Sequence, residues 1–121
     1  MRILVIDDDA LVRASLAAIL ASLGHDPVAA TGAVEGIEQA EEGHFDVAII
    51  DMKMPGMDGL EAVKALVRIE PRIPVIGMSG GSLNPDIDYA VLATRLGAHA
   101  FLHKPFTRDE LVRTIEAAVA A

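Results

Sequence analysis

Two short, fully apolar runs constrain the fold of this chain more than any other feature of its sequence. Ile3-Leu4-Val5-Ile6 and Val47-Ala48-Ile49-Ile50 contain no polar residue, which is typical of strands that are buried on both faces. Such strands lie in parallel sheets that are covered by helices. Similar apolar segments alternate with amphipathic helical patterns along the whole chain, and this alternation predicts a sheet built from βαβ units.

The alternation predicts five such units. Strands are expected at 2–7, 27–30, 46–51, 74–78 and 100–102. Helices are expected at 10–23, at 33–42, around Leu60, Val63 and Leu66, from Asn84-Pro85 to about Leu96, and from Thr107 onward. Right-handed crossovers leave few arrangements for such a chain. Among them, the flavodoxin-like (βα)5 three-layer α/β sandwich with sheet order 2-1-3-4-5 places the first and third strands side by side.

Local signals mark where the helices begin and end. Two pairs have the spacing of a capping box, Asp58 with Glu61 and Thr107 with Glu110. Asn84 is expected to cap the fourth helix and Pro85 to occupy its first turn. Gly24 and Gly97 are expected to end the first and fourth helices, because glycine readily adopts the left-handed conformation found there.

Composition restricts the class of protein. The 121 residues suit one domain spanning 1–121, and 52% of them are hydrophobic. No apolar run approaches the roughly 18 residues that span a bilayer, so no membrane segment is expected. Met1 leads into the first predicted strand with no room for a signal peptide, which favours a cytoplasmic protein. The sequence has no cysteine, which excludes disulfides and thiolate chemistry.

The charge balance argues against direct DNA binding. The chain carries 18 acidic and 10 basic residues, for a formal net charge of −8. Proteins that bind nucleic acids present basic surfaces that displace counterions from the phosphates. This sequence has neither a basic balance nor a basic cluster, so no direct contact with DNA is expected.

Carboxylates follow both of the most apolar runs. Asp7, Asp8 and Asp9 come directly after the first run, and Asp51 comes directly after the second. The carboxyl ends of parallel strands meet at the edge where open α/β sheets bind ligands, so these side chains are expected to converge. Crowded anions destabilise a fold unless a proton or a cation offsets their repulsion. Because oxygen ligands without histidine or cysteine suit a hard cation, the cluster predicts a Mg²⁺ site.

A hydroxyl and an ammonium group are predicted at the same edge. Ser79 follows the fourth predicted strand and Lys104 follows the fifth. These groups suit an anionic ligand, and phosphoryl oxygens are common partners of Mg²⁺. A carboxylate can act as the nucleophile while a metal ion and a lysine neutralise the phosphoryl charge. The combination therefore indicates phosphoryl transfer.

Four segments together resemble the receiver domains of two-component response regulators, in particular the single-domain, CheY-like ones. The segments are Val5-Ile6-Asp7-Asp8-Asp9, Asp51-Met52-Lys53-Met54-Pro55-Gly56-Met57-Asp58-Gly59, Met78-Ser79-Gly80 and Lys104-Pro105-Phe106. They occur in the order of that family, and the resemblance covers essentially the whole chain. An aspartate pair alone is a weak signal, whereas the four segments together are specific.

The resemblance implies a Mg²⁺-dependent phosphoacceptor. Asp51 matches the residue that attacks a phosphohistidine on a partner protein and becomes an acyl phosphate. Asp8 and Asp51 match the direct Mg²⁺ ligands, together with the backbone carbonyl of Lys53. Asp7 matches the residue that acts mainly through a metal-bound water.

The resemblance also implies a conformational switch. Lys104 would pair with Asp51 and then with the phosphoryl group, and Ser79 would donate a hydrogen bond to a phosphoryl oxygen. Phe101 matches the aromatic residue whose ring turns inward when this happens. The Lys104-Pro105 bond matches a cis peptide bond of the family. The affected surface would comprise the fourth helix, the fifth strand and the fifth helix.

The implied partners are a sensor histidine kinase or a histidine phosphotransfer protein, and a downstream target protein that the sequence does not identify. The chain is expected to catalyse its own phosphorylation and dephosphorylation and to turn over no metabolite.

Three features depart from the family pattern. The segment 80–85 is longer than usual and contains two adjacent glycines, so the start of the fourth helix is expected to be displaced or mobile. Lys53 and Gly81 occupy positions where side chains affect the lifetime of the acyl phosphate in this family. His103 stands where an apolar strand residue is usual.

The main alternative is a haloacid-dehalogenase-type phosphatase. The segment Asp7–Val12 nearly fits the D-x-D-x-T/V signature, with Asp7 as the nucleophile and Asp9 as the acid-base residue. The chain is too short for the cap of such enzymes, and Asp51 would have no role. An FMN-binding module would need a phosphate-cradling loop where the anionic run stands. A pseudo-receiver would not need the complete set of phosphorylation residues.

Structural interpretations also stand beside the functional ones. Asp9 is interpreted as a solvated cap of the first helix, and Phe101 is equally well explained as a core aromatic residue. The four histidines lack the spacing of metal ligands and are predicted to lie at the surface or at strand edges: His25, His44, His99 and His103.

Overall fold

The apolar segments form a parallel sheet. The structure is a computed structural model that describes residues 1–53, 59–80 and 88–120, and within these ranges the sheet has five strands. The strands are β1 Arg2–Ile6, β2 Asp26–Ala30, β3 Val47–Asp51, β4 Val75–Gly80 and β5 Ala100–Lys104. Their order is β2-β1-β3-β4-β5 with every neighbouring pair parallel, which confirms the predicted flavodoxin-like arrangement.

Helices cover both faces of this sheet. The helices are α1 Ala10–Ser22, α2 Ala33–Glu42, α3 Gly59–Val67, α4 Tyr89–Arg95 and α5 Arg108–Ala120. Successive strand residues point to opposite faces, so Ile3 and Val5 pack with α1 and α5, whereas Leu4 and Ile6 pack with α2, α3 and α4. This confirms the three-layer sandwich. Among the described helices, none is long and apolar enough to cross a membrane.

Glycines end two of the helices as predicted. Gly24 has φ +87° and Gly97 has φ +110°, both in the left-handed region. After α1, the N–H of Gly24 donates to the Ala21 carbonyl and the N–H of His25 donates to the Leu20 carbonyl, each at 3.0 Å. This pair of bonds is a Schellman motif, which satisfies carbonyls at the end of the helix.

Side chains cap the first and last helices as predicted. The Asp9 carboxylate accepts a hydrogen bond from the Leu11 N–H at 2.9 Å, which confirms its interpretation as a helix cap. Before α5, the Glu110 N–H donates to Thr107 Oγ1 at 3.1 Å, and the Thr107 N–H donates to the Glu110 carboxylate at 3.0 Å. These reciprocal bonds form the predicted capping box.

The fourth helix begins later than predicted. α4 starts at Tyr89, and its N-cap is Asp88, whose carboxylate accepts a hydrogen bond from the Val91 N–H at 3.2 Å. The prediction of one continuous helix from Asn84-Pro85 to about Leu96 is therefore wrong, because Asp88 has an extended backbone and caps the helix that starts at Tyr89. Asn84 and Pro85 themselves, and most of the 80–85 extension, lie outside the described residues. So do residues 54–58, including the Asp58 half of the other predicted capping box.

Two strands extend further toward the ligand-binding edge than predicted. The prediction placed Gly80 in a loop and ended the fifth strand at residue 102, whereas β4 includes Gly80 and β5 reaches Lys104. The reason is that Gly80 and Lys104 pair across the two strands, and the Lys104 Cβ lies only 3.0 Å from where a Cβ on Gly80 would be. Glycine at this position allows the close approach. The pairing fixes Lys104 in a regular strand beside the site.

Candidate phosphoryl-transfer site

Three carboxylates converge at the carboxyl ends of β1 and β3. The two strands are neighbours in register, with Ile6 opposite Ile50, so the residues that follow them emerge side by side. Carboxylate oxygens of Asp7, Asp8 and Asp51 all lie within 4.8 Å of one another. Asp7 and Asp51 are buried, with 0% and 5% of their surface exposed, whereas Asp8 is exposed. The convergence predicted from the sequence is thus confirmed.

One ammonium group lies against two of these carboxylates. The Lys104 Nζ donates a hydrogen bond to Asp7 Oδ2 at 3.1 Å and lies 3.6 Å from Asp51 Oδ2. The sequence interpretation paired Lys104 with Asp51 alone, and the shorter contact with Asp7 was missed. In this state the lysine bridges the two buried acids. One cation against three carboxylates leaves the cluster with excess negative charge.

The Asp51 carboxylate is held from the side of its own loop. Its Oδ1 accepts a hydrogen bond from the Lys53 N–H at 3.1 Å, while its Oδ2 faces Lys104. Burial raises the pKa of the Asp51 carboxyl, and the charges of Asp7 and Asp8 add to this effect, against the Lys53 hydrogen bond and the Lys104 charge. The negative charge on Asp51 is therefore poorly compensated. A group in such a position is well placed to react with an electrophile or to bind a cation.

Asp7 is held at all three of its oxygen atoms. Its Oδ1 accepts a hydrogen bond from the Asp9 N–H at 2.9 Å, and its Oδ2 accepts one from Lys104. Its backbone carbonyl accepts a hydrogen bond from Arg13 Nη1 at 2.8 Å. The sequence interpretation missed this arginine, because nothing in the sequence separates an arginine near the start of an amphipathic helix from an ordinary surface residue.

The donor set fits a hard divalent cation. The residues that come together offer carboxylate oxygens, and neither histidine nor cysteine belongs to the cluster in the described residues. Mg²⁺ prefers such oxygen ligands and retains several waters, which suits a site with one exposed carboxylate. Lys53, whose backbone carbonyl is a predicted ligand, lies directly beyond this group in the chain. An acidic cluster that could bind a metal is therefore present.

The predicted switch residues lie on neighbouring strands beside the carboxylates. Ser79 is buried on β4, one residue beyond Met78, which pairs with Asp51. Phe101 is half-buried on β5, opposite Gly77, and its ring lies 3.0 Å from where a Cβ on Gly77 would be. Gly77 thus leaves the space that the aromatic ring fills. The ring also makes an edge contact with exposed His103, with centroids 5.0 Å apart.

The Lys104-Pro105 peptide bond is cis, as the family resemblance implied. It joins β5 to the loop before α5. The phosphatase alternative receives no support, since the carboxylate of Asp9 caps α1 and Asp9 is not part of the carboxylate cluster that includes Asp7 and Asp51. Asp51, which that alternative leaves without a role, lies inside the cluster.

An apolar groove opens next to the site. It has a volume of about 720 Å³, and its lining includes Val12, Leu16 and Ile19 of α1 on one side and Lys104 and Phe106 on the other. Leu11, at its rim, is 77% exposed, the most of any large hydrophobic residue in the described chain. The groove reaches Lys104, the residue whose ammonium group contacts Asp7 and Asp51.

A doubly wound α/β domain with clustered carboxylates and a lysine at its topological switch point is the architecture of a phosphoacceptor switch. The chain belongs to the response regulator receiver domain family, whose family model matches residues 3–116. Receiver domains interact with histidine kinases or phosphotransfer proteins. They are phosphoacceptor switches and not classical enzymes.

Relatives and solved structures agree with this assignment. The chain is 38% identical over 116 residues to the DNA-binding transcriptional regulator NtrC of Escherichia coli K12, covering 96% of this chain and 24% of NtrC. It is 37% identical to the transcriptional regulatory protein FixJ of Bradyrhizobium diazoefficiens, covering 97% of this chain and 56% of FixJ. The chain therefore spans only part of these relatives. A receiver domain structure from Clostridium thermocellum matches with a TM-score of 0.88 and 33% identity, covering 98% of this chain and 94% of that one.

Proposed function

We propose that residues 1–121 form one receiver domain in which Asp51 accepts a phosphoryl group from a partner histidine kinase or histidine phosphotransfer protein. The observation that carries this proposal is the meeting of Asp7, Asp8 and Asp51 with the ammonium group of Lys104. Burial and both neighbouring carboxylates oppose the negative charge on Asp51. In the described chain, the Asp51 Oδ2 accepts no hydrogen bond, and its nearest cationic partner is the Lys104 Nζ at 3.6 Å. The Oδ2 of Asp7, the other buried carboxylate, accepts a hydrogen bond from Lys104.

The proposed reaction is an in-line transfer. An oxygen of Asp51 attacks the phosphorus of a phosphohistidine, a P–O bond forms, and the P–N bond to the imidazole breaks. The imidazole leaves with the electron pair of that bond and takes up a proton. The Lys53 N–H holds Asp51 Oδ1 and so orients the carboxylate for the attack. Lys104, within 3.6 Å of Oδ2, is placed to donate to the incoming phosphoryl oxygens.

Asp7, Asp8, Asp51 and the backbone carbonyl of Lys53 are the proposed holders of Mg²⁺. When bound, the ion supplies positive charge that offsets the phosphoryl oxygens and the carboxylates. The chain itself supplies the rest: burial of Asp7 and Asp51 keeps water away from the nucleophile, and Lys104 neutralises part of the charge. Self-catalysed phosphorylation and slow self-catalysed dephosphorylation follow from the same set of groups.

The proposed output begins at Ser79. A phosphoryl group on Asp51 adds about −1.5 to −2 charges and three acceptor oxygens beside the end of β4. Ser79 would donate to one of these oxygens, which draws the end of β4 toward the site. Phe101, packed against Gly77 two residues earlier in β4, would then turn inward. The changed surface comprises α4, β5 and α5, and a target protein would recognise it.

The donor is proposed to approach along the groove between α1 and Phe106. This groove continues to Lys104, so a helix that carries a phosphohistidine can rest on its apolar lining while the imidazole reaches Asp51. The cytoplasm is the proposed location, and no direct contact with DNA or membrane is proposed. An acidic chain of net charge −8 fits these expectations.

Incubation with acetyl phosphate and Mg²⁺, followed by intact mass measurement, tests the proposal. One added phosphoryl group is expected for the wild-type protein and for Asp9→Asn. No added phosphoryl group is expected for Asp51→Asn. Asp9 is a matched control because it is a neighbouring carboxylate whose observed contacts cap α1. Modification that survives in Asp51→Asn and is lost in Asp7→Asn would instead support the phosphatase-type nucleophile.

A further inference from the structure

Arg13 makes a contact with the acidic site that none of the roles above uses. It lies in α1, is half-buried, and donates from Nη1 to the backbone carbonyl of Asp7 at 2.8 Å. Lys104 approaches the same residue from the β5 side of the sheet and binds its carboxylate. Asp7 is thus held by a cation at its side chain and by a second cation at its main chain.

The loop that follows β2 lies next to this contact. Glu35, near the start of α2, accepts hydrogen bonds from the Thr31 hydroxyl at 2.6 Å and from the Thr31 N–H at 3.2 Å. These bonds lower the pKa of the Glu35 carboxyl, and the nearby charge of Arg13 lowers it further. Thr31 follows Ala30, whose carbonyl accepts a hydrogen bond from the Asp7 N–H at 3.3 Å. The end of β2 therefore contacts Asp7 as well, through the Ala30 carbonyl.

The anchoring matters because the Asp8 carboxylate has no anchor of its own. In the described part of the chain, no hydrogen bond or ion pair from another residue holds this exposed side chain. Its direction is set by the backbone, and the peptide group that leads into Asp8 is the one whose carbonyl Arg13 binds. Groups that orient ligands through a hydrogen bond affect metal affinity although they never touch the metal.

We propose that Arg13 is a positioning residue of the metal site, which fixes the Asp7–Asp8 peptide group and thereby aims the Asp8 carboxylate at the cation. This inference rests on the proposed function of the acidic cluster as a Mg²⁺ site. The inference predicts that removal of Arg13 weakens Mg²⁺ binding, which is opposite to the effect expected from its charge alone. Arg13 is a cation, so its charge alone weakens Mg²⁺ binding, and its removal would tighten binding if charge were its only effect.

Isothermal titration of Mg²⁺ into the unphosphorylated protein tests the inference. Arg13→Met is expected to bind Mg²⁺ about 10-fold more weakly than wild type, in the range found for groups that orient metal ligands. Arg13→Lys keeps the charge but loses the planar guanidinium, and it is expected to bind more weakly than wild type as well. Arg113→Met removes an exposed arginine of α5 and is the matched control. Its Mg²⁺ affinity is expected to equal that of wild type.

A rate measurement separates positioning from general damage. With acetyl phosphate as donor, the Mg²⁺ concentration for half-maximal phosphorylation should rise in both Arg13 variants, while the rate at saturating Mg²⁺ stays within about 2-fold of wild type. Equal or tighter Mg²⁺ binding by Arg13→Met, or wild-type binding by Arg13→Lys, would overturn the inference and leave the proposed function intact. Absence of Mg²⁺ binding by the wild-type protein would overturn both.

Discussion

Asp51 shows how a side chain that is proposed to act in phosphoryl transfer can work against stability. Its side chain is buried, its pKa is raised chiefly by that burial, and two carboxylates lie beside it. A carboxyl with a raised pKa in the folded state stabilises the fold fully only below its ordinary pKa, and this contribution is lost as the pH rises through the folded value. At neutral pH the charge on Asp51 therefore works against folding.

Asp51→Asn is expected to stabilise the protein when no Mg²⁺ is present. The amide is nearly the same size and removes one of three crowded charges, so the free energy of unfolding should rise by about 1 kcal/mol, the size of a typical single-substitution effect. Adding Mg²⁺ should stabilise the wild-type protein and much less the variant, because a ligand of the folded state shifts stability in proportion to its binding. Urea denaturation in chelator and in excess Mg²⁺ measures both quantities.

Glu38→Gln is the matched control for this comparison. Glu38 is an exposed carboxylate of α2, and its neutralisation should change the free energy of unfolding by no more than about 0.5 kcal/mol. A loss of stability in Asp51→Asn without Mg²⁺ would contradict the account of a destabilising charge cluster.

His99 is a second residue whose environment has a measurable consequence. It is half-buried just before β5, and its Nδ1 accepts a hydrogen bond from the Val75 N–H at 3.1 Å. The backbone N–H of His99 donates to the Val75 carbonyl at 2.8 Å. Burial lowers the pKa of this imidazole, and the charge of Arg72 lowers it further. The neutral imidazole thus joins β5 to the start of β4, at the end of the sheet away from the carboxylates.

Acid is expected to weaken the fold through His99. A lowered pKa means that the folded state resists protonation, so the stabilising contribution is complete above the ordinary pKa of about 6.5 and is lost as the pH falls through the lower folded value. His99→Asn keeps an acceptor at the same place without titrating. The loss of unfolding free energy between about pH 7.5 and about pH 5.5 should therefore be smaller in this variant than in wild type.

Exposed His44 provides the comparison, since His44→Asn removes another histidine and should leave the pH dependence as it is in wild type. Urea denaturation at the two pH values supplies the data. An identical pH dependence in His99→Asn and wild type would show that the hydrogen bond to Val75 does not govern the response.

The packing of α3 against the end of β3 depends on a glycine. Gly59 is the first residue of α3, and a Cβ at this position would overlap the backbone of Met52, the residue after Asp51. The close approach brings the helix directly onto the strand end that carries the proposed phosphoacceptor. Gly36 plays a similar part in α2, where a Cβ would overlap the side chain of Ile6. Glycine at position 36 is thus a packing requirement.

Gly59→Ala is expected to lower the free energy of unfolding by about 1–3 kcal/mol, because the added methyl group forces the helix or the Met52 backbone to move. Gly32→Ala is the matched control, since no heavy atom lies within 4 Å of a Cβ there and the φ of −171° is extended backbone. That variant should lose less, about 0.5–1 kcal/mol, because alanine is a poorer N-cap residue than glycine. Thermal or urea denaturation compares the two, and equal stability losses would contradict the packing argument.

For the molecule as a whole, the sheet topology and the carboxylate cluster could be predicted from the sequence. Fully apolar strands can only be buried in a covered parallel sheet, and acids that follow two of them must emerge at one edge. The strand order, the three layers and the meeting of Asp7, Asp8 and Asp51 were predictable for this reason. The caps by Asp9 and Thr107 were predictable because they depend on residues close in the chain.

Features that depend on contacts between distant residues were not predictable. Gly80 was placed in a loop because its pairing with Lys104 is invisible in the local sequence. The start of α4 was wrong because two capping signals lie a few residues apart and only packing of the helix selects between them. Arg13 was missed because its contact with the Asp7 carbonyl depends on the folded structure and leaves no pattern in the local sequence.

The central claim is that Asp51 is the side chain that becomes an acyl phosphate. After incubation with acetyl phosphate and Mg²⁺, borohydride reduces an aspartyl phosphate to homoserine, and peptide mass spectrometry then locates the converted residue. The account predicts homoserine at position 51, dependent on Mg²⁺, with Asp7, Asp8 and Asp9 unchanged. Conversion at Asp7, or no conversion at Asp51 in protein that has gained a phosphoryl group, would contradict it.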